Sequence, residues 1–422
     1  MTIEITTLEN GLRIISQDMP HLESTSLGVW VNAGTRAEKP DQHGLAHLLE
    51  HMAFKGTHTR SARQIAEEIE AVGGELNAAT SIESTSYYAR VLKDDVPLAV
   101  DILADILQNS TFDETELERE KDVILQEIKA CEDSPDDVVF DLTQSTAYAD
   151  QAIGRPILGT AETIGQMRSS QLFGYMTQNY TADNMIVGAA GAISHKALVD
   201  LVATKFAKLT STKKEKLQSA QYYGGQNLSD QSFEQSHVVL AFEGFEYRHK
   251  DYYAAQVLSV LLGGGMSSRL FQEVREKHGL CYAIYSFCWG LSDTGLFGIH
   301  AATGPEHVTQ MLDVITRELK KIAKDGPSTR ELDRAKVQIK AGLLMGLESS
   351  VTRSEQLARQ LLVFNKPVSN DELIAKIDTV SVEWIQNLVK EMTTHSSPTF
   401  CGAGPMTSLP PYETLKDSLR VS

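Results

Sequence analysis

Along this chain the apolar positions switch repeatedly between a period of two and a period near 3.6, the marks of strand and helix. The first residues alternate as a strand does, and Asn10-Gly11 within Leu8-Glu9-Asn10-Gly11-Leu12 marks a hairpin turn. Ser26-Leu27-Gly28-Val29-Trp30-Val31 predicts a strand rich in β-formers. Helices follow over 43–54 and 62–72, the second stopped by Gly73-Gly74. Residues 75–92 return to strand. Leu98, Ala99, Ile102, Leu103, Ile106 and Leu107 then form one apolar stripe on a helix over 96–108. A long helix starts near Asp113, where Glu116 completes a capping box.

The pattern then repeats. Glu116-Leu117-Glu118-Arg119-Glu120-Lys121 is matched by Glu331-Leu332-Asp333-Arg334-Ala335-Lys336, and Leu48-Leu49 by Leu261-Leu262. Two matches in the same order at nearly the same offset indicate a duplication. With 422 residues, the chain also exceeds one ordinary core. The expected fold is α+β: two tandem domains of similar fold, a duplicated αβ sandwich with helices on a mainly antiparallel sheet. The expected boundaries are 1–210, a linker over 211–222 containing Ser211-Thr212-Lys213-Lys214-Glu215-Lys216, and 223–422.

Composition narrows the function. Hydrophobic residues at 42% and charged residues at 23% fit a soluble globular chain. Lys+Arg 39 minus Asp+Glu 56 gives −17, which speaks against nucleic acid as a partner and suits cationic ones if the charge lines a cleft. No apolar run reaches the roughly 18 residues of a membrane span. The N-terminus shows no basic segment followed by an apolar one, so the expected setting is cytoplasmic with no membrane partner. The expected state of Cys131, Cys281, Cys288 and Cys401 is reduced, because Cys281 and Cys288 fall on opposite faces of one strand.

The candidate chemistry lies on the first helix. His47 and His51, four residues apart, project from one helical face and can share a metal ion. Glu50 lies on the same side, within reach of a water at that metal. Random placement of 12 His and at most 56 Glu predicts fewer than about 0.05 such His-x-x-Glu-His matches. A third ligand must come from elsewhere; Glu127 is the candidate, with Glu120 two turns earlier on the same stripe as a residue to orient a histidine. In the duplicate, His47, Glu50 and His51 fall on Val260, Gly263 and Gly264, and Glu120 and Glu127 on Ala335 and Gly342. On that alignment only the first copy holds the metal.

His47-Leu48-Leu49-Glu50-His51-Met52-Ala53-Phe54-Lys55-Gly56-Thr57, with Glu127 following, resembles the pitrilysin-type family of zinc metallopeptidases, whose motif is an inverted His-x-x-Glu-His. It is most similar to the short bacterial members and to the processing-peptidase β-subunits of mitochondria. The resemblance covers essentially the whole chain. It implies a zinc endopeptidase with one Zn2+ per chain on His47, His51 and Glu127, Glu50 as general base and Glu120 in support. It implies further that Asn77, Ala78 and Ala79 lie on an edge strand that takes up a peptide as an added strand. Arg275 and Tyr282 match a pair that binds substrate and steadies the oxyanion from the partner half or subunit, so a homodimer with the pair acting in trans is expected. Gly263, Gly264 and Gly265 match a glycine-rich loop beside the incoming peptide, without the Gly-Lys-Ser ending of a phosphate-binding loop. Asp137 and Asp141 match an acidic pair that recognises arginine near the cut. Here Asp replaces Glu at the first position, one methylene shorter. The alternatives are a non-catalytic core subunit, one partner of a heterodimeric peptidase, and a metal-storage protein.

Overall fold

A computed structural model describes residues 2–212, 217–395, 397–407 and 409–420; Lys213, Lys214, Glu215 and Lys216 of the expected linker lie outside the described residues. The chain divides into two compact units, each assembled from three stretches of sequence. The first contains Met1–Ile128, Arg155–Gln218 and Met345–Val368; the second contains Lys129–Gly154, Ser219–Leu344 and Ser369–Ser422.

Unit 1 opens with the expected hairpin. Strands β1 (Ile3–Thr7) and β2 (Arg13–Asp18) pair antiparallel, and Gly11 takes the left-handed φ of +95° that the turn needs. Next come β3 (Ser24–Val31), α1 (Leu45–Ala53) and α2 (Ala62–Ala71), the last with a capping box between Ser61 and Gln64. The stretch expected as one strand over 75–92 is a hairpin of β4 (Glu75–Thr80) and β5 (Thr85–Leu92). It reverses at polar Ser81 and Ser84, where the Ser81 N–H donates to the Ser84 carbonyl. Helix α3 (Val96–Gln108) follows, then α4 (Glu114–Glu132), whose first turn is capped by Asp113 accepting from the N–H groups of Thr115 and Glu116. After α5 (Pro135–Ala147) come α6 (Ala161–Gln166), α7 (Ser169–Asn179), β6 (Met185–Gly191) and α8 (His195–Lys205).

The second half retraces this path with β7 (Gly225–Ser229), β8 (Ser236–Glu243), α9 (Tyr252–Gly263), β9 (Cys281–Gly290) and β10 (Gly295–Thr303). Helices α10 (Val308–Asp325), α11 (Thr329–Gly346), α12 (Ser350–Phe364), α13 (Asn370–Asp378) and α14 (Val382–His395) precede β11 (Thr399–Ala403) and α15 (Tyr412–Leu419). The sheets run β1-β2-β6-β3-β5-β4 and β7-β11-β8-β10-β9. Apart from the extra β1, the two orders are the same when strands are matched by position. Only β2–β6 and β7–β11 are parallel among the pairs. The α+β duplication is therefore what the chain adopts.

The units are discontinuous where the sequence suggests continuous domains, because each takes one helix from the other half. Helix α5 packs on β7, β8 and β11, and α12 packs on β2, β3 and β6. In unit 1 the sheet is consequently covered on both faces. Leu27, Val29 and Val31 of β3 face the core shared with α1 and α3, while Trp30 faces Leu357, Ala358 and Leu361 of α12. None of the four cysteines forms a disulfide, and no described helix is long and apolar enough to cross a membrane.

Candidate metal centre

Helix α1 is positioned by its buried face and by its start. Leu45, Ala46, Leu48, Leu49, Met52 and Ala53 are buried, so the helix cannot turn without exposing them. Its N-cap, Gly44, has φ +92°, and a Cβ there would meet the Leu158 carbonyl at 2.7 Å. The orphan N–H groups of the first turn are taken by Glu38, whose two carboxyl oxygens accept from Gly44 at 3.0 Å and Ala46 at 2.7 Å. Burial pushes the Glu38 carboxyl up to about 8 despite these bonds and the nearby Arg155.

The remaining stripe of α1 carries His47, Glu50 and His51. Both Nε2 atoms face the same oxygen of Glu127, at 3.7 Å from His47 and 3.6 Å from His51. Those separations exceed a hydrogen bond. They suit atoms sharing an ion, since two metal–ligand bonds of about 2.0–2.1 Å at a tetrahedral angle leave ligand atoms about 3.3 Å apart. His47 Nδ1 and Glu50 Oε2 are buried without a hydrogen bond. Burial, reinforced by the neighbouring His51, holds His47 down to about 4, so its imidazole stays neutral, as a ligand must be.

Glu120 completes this arrangement. Its Oε2 accepts from His51 Nδ1 at 3.0 Å and its Oε1 from Lys55 at 2.6 Å. Burial alone would raise Glu120, yet the bonds from Lys55 and His51 outweigh it and hold the carboxylate below its ordinary value. The bond fixes His51 with Nδ1 protonated and Nε2 free to coordinate. Glu50 is pushed up, first by burial; Thr80 of β4 and His51 pull it part of the way back.

Strand β4 ends its sheet, so one edge is unpaired. Asn77 and Ala79 are exposed on it and Ala78 is buried, with its N–H donated to Asn77 Oδ1 at 2.8 Å. The other expected residues lie in unit 2. The Arg275 guanidinium sits over the rings of Phe271 and Tyr282, at 4.5 and 5.2 Å from their centroids, and Tyr282 is 76% exposed. Gly263 is buried in the last turn of α9, Gly264 caps it, and Gly265 follows. Asp137 and Asp141 lie one turn apart on α5; burial, and then the charge of Asp137, push Asp141 up to about 6. Thus His47, Glu50, His51, Glu120 and Glu127 converge within unit 1, while Arg275 and Tyr282 pair within unit 2.

The family model of insulinase, peptidase family M16, matches residues 13–161, and that of the peptidase M16 inactive domain matches 167–339. An uncharacterised zinc protease of Bacillus subtilis, YmxG, is 38% identical over 92% of this chain and 95% of its own length. The chain belongs to the peptidase M16 family. Two solved structures share the fold. A protease from Helicobacter pylori has a TM-score of 0.89 at 23% identity, covering 96% of this chain and all of that one. A chain of complex III2 from Candida albicans has a TM-score of 0.87 at 20% identity, with both chains fully covered. The second family model falls where the His-x-x-Glu-His residues have no counterparts in the duplicate, and its name carries the same contrast between halves.

Sequence reasoning missed two parts of this M16 chain. Glu38 anchors the motif helix from a loop that carries no recognisable pattern. A second group, Asp136, His237 and His300, brings three ligand atoms within 4.8 Å of one another in unit 2. Its only signal is a histidine at a buried position in each of two apolar strands.

Proposed function

We propose that this M16 chain is a zinc-dependent endopeptidase acting on extended peptides or unstructured segments. The observation that carries the proposal is the convergence of the His47 and His51 imidazoles on one Glu127 oxygen beside a Glu50 carboxylate with a buried, unbonded oxygen. His47, His51 and Glu127 would hold one zinc ion. Zinc bound there supplies Lewis-acid polarisation of the scissile carbonyl and a lowered pKa for water.

The chain's own residues do the rest. Glu50, with its raised proton affinity, takes a proton from the attacking water and returns it to the leaving amine. Glu120 keeps His51 in one tautomer and orientation. The free edge of β4 takes up the substrate backbone as an added strand, which fixes an extended peptide with little regard to its sequence. A pairing peptide must compete for the Ala78 N–H that Asn77 now holds. Asp137 and Asp141 favour a basic residue near the cut. Arg275 and Tyr282 complete the site in trans in a homodimer, which works in the cytoplasm.

The test is hydrolysis of an unstructured basic peptide and its neutral analogue by the full chain, with and without chelator, beside Glu50→Gln. The expected result is cleavage that chelator abolishes and Glu50→Gln lowers by at least ~100-fold. Activity that survives both treatments would refute the assignment, and equal cleavage of the two peptides would remove the basic preference.

A further inference from the structure

Unit 2 carries a second histidine–histidine–carboxylate group that the peptidase chemistry does not use. His237 on β8 and His300 on β10 share one sheet face, since His237 pairs with Ala302 and Val239 with His300. Across that face lies α5, whose first turn presents Asp136. One Asp136 oxygen stands 3.2 Å from His237 Nδ1 and 3.0 Å from His300 Nε2.

A carboxylate bridging two imidazole N–H groups would be the simplest account, and it fails at His300. That side chain is 1% exposed, and neither ring nitrogen makes a hydrogen bond; the short approach to Asp136 is misaligned for one. Its ring is walled by Phe140, stacked at 5.6 Å and 21°, and by Tyr285 at 4.8 Å. A buried imidazole walled by aromatic rings, with its one lone-pair nitrogen unbonded, leaves an acceptor that a cation beside Asp136 would satisfy. Asp136, by contrast, is exposed, which leaves one side of the group open to solvent.

We infer that Asp136, His237 and His300 form a second binding site for a first-row divalent cation of the zinc class, distinct from the centre on α1. Two imidazoles and a carboxylate are a borderline-soft donor set suited to zinc, with a position left for water. The ion would tie the start of α5 to β8 and β10. The inference does not depend on peptidase activity.

The test removes the first centre and counts what remains. The full chain carrying His47→Gln and His51→Gln is equilibrated with Zn2+, passed through a desalting column and analysed for metal, with circular dichroism to confirm its fold. The expected result is about one Zn2+ per folded chain, lost when His300→Gln is added. Asp136→Asn, at an exposed position, serves where His300→Gln fails to fold, and is expected to weaken Zn2+ binding at least ~10-fold. Co2+ in the same variant should give visible absorption bands that disappear with either added substitution. A folded His47→Gln/His51→Gln chain that retains no Zn2+ overturns the inference. So does one whose Zn2+ is unaffected by both added changes.

Discussion

Helices α1 and α9 occupy the same place in two copies of one fold, and they meet their edge strands in opposite ways. In unit 2 the glycine at the position of Glu50, Gly263, lets α9 close on β9: a Cβ there would come within 2.2 Å of the Ser286 nitrogen. Ser286 also donates its hydroxyl to the Ser259 carbonyl of α9 at 2.6 Å, sealing the contact. In unit 1 a full glutamate stands at that position beside Thr80, with one carboxyl oxygen unsatisfied. The same architecture thus has a filled slot in one copy and an open, polar one in the other. The difference teaches that the fold does not need the site. Unit 2 uses the slot for packing, and unit 1 gives up packing there to hold a carboxylate with an unsatisfied oxygen.

Reciprocal substitutions break this comparison most directly. Glu50→Ala should lower peptide hydrolysis by at least ~100-fold while leaving stability unchanged or raised, because it removes a buried acceptor worth about 1–3 kcal/mol when unpaired. Gly263→Ala should do the reverse to the fold and destabilise it by about 1–3 kcal/mol through overpacking against backbone. Denaturant unfolding of both variants decides it. A Gly263→Ala chain as stable as the wild type, or a Glu50→Ala chain less stable than it, would show that the slot is not what separates the copies.

The next effect concerns what keeps the open slot ordered. Glu120 joins α4 to the motif helix through His51 and Lys55, whereas Ala335 stands at its position in the duplicate. Glu120→Gln keeps the shape but can no longer accept two charge-assisted bonds. Zinc affinity should fall about 10–100-fold, measured by competition with a chelating dye. An unchanged affinity would mean that packing alone orients His51.

Much of this was legible in the sequence for physical reasons. The spacing of His47, Glu50 and His51 fixes a common helical face whatever surrounds it, and the seven-residue step from Glu120 to Glu127 does the same on α4. The duplication showed because both copies retain their helix-start and apolar signals. What stayed hidden depends on long-range packing. The amphipathic pattern of α5 and α12 says that one face is buried, but not on which sheet, so their exchange between halves left no local trace. Asp136, His237 and His300 are scattered over more than one element, and strand histidines carry no spacing rule. For that reason the alignment of the copies gave no sign of this group. The break at Ser81–Ser84 was readable in principle, as a polar cluster inside a strand-like run.

The smallest effect tests how the motif helix is held, a feature that again separates α1 from α9. Helix α9 begins at Asp251 without a side-chain cap, whereas α1 begins on the buried carboxyl of Glu38. Burial raises Glu38 from its ordinary 4.5 to about 8, so the folded chain holds this proton more tightly than the unfolded one. Its stabilising contribution is complete below the ordinary value and is lost as pH rises through about 8. Between those limits the wild type should lose stability relative to Glu38→Gln, which cannot titrate. Gln keeps one acceptor oxygen and turns an amide donor toward the other backbone N–H, so it should also cost about 1–3 kcal/mol at the acid end of the window. The two unfolding curves should therefore approach each other as pH increases and cross before about 8, because the loss on ionising Glu38 exceeds the cost of the amide. Parallel curves across that window would mean that the N–H groups of Gly44 and Ala46 keep Glu38 ionised throughout, making it a charged cap on the helix dipole.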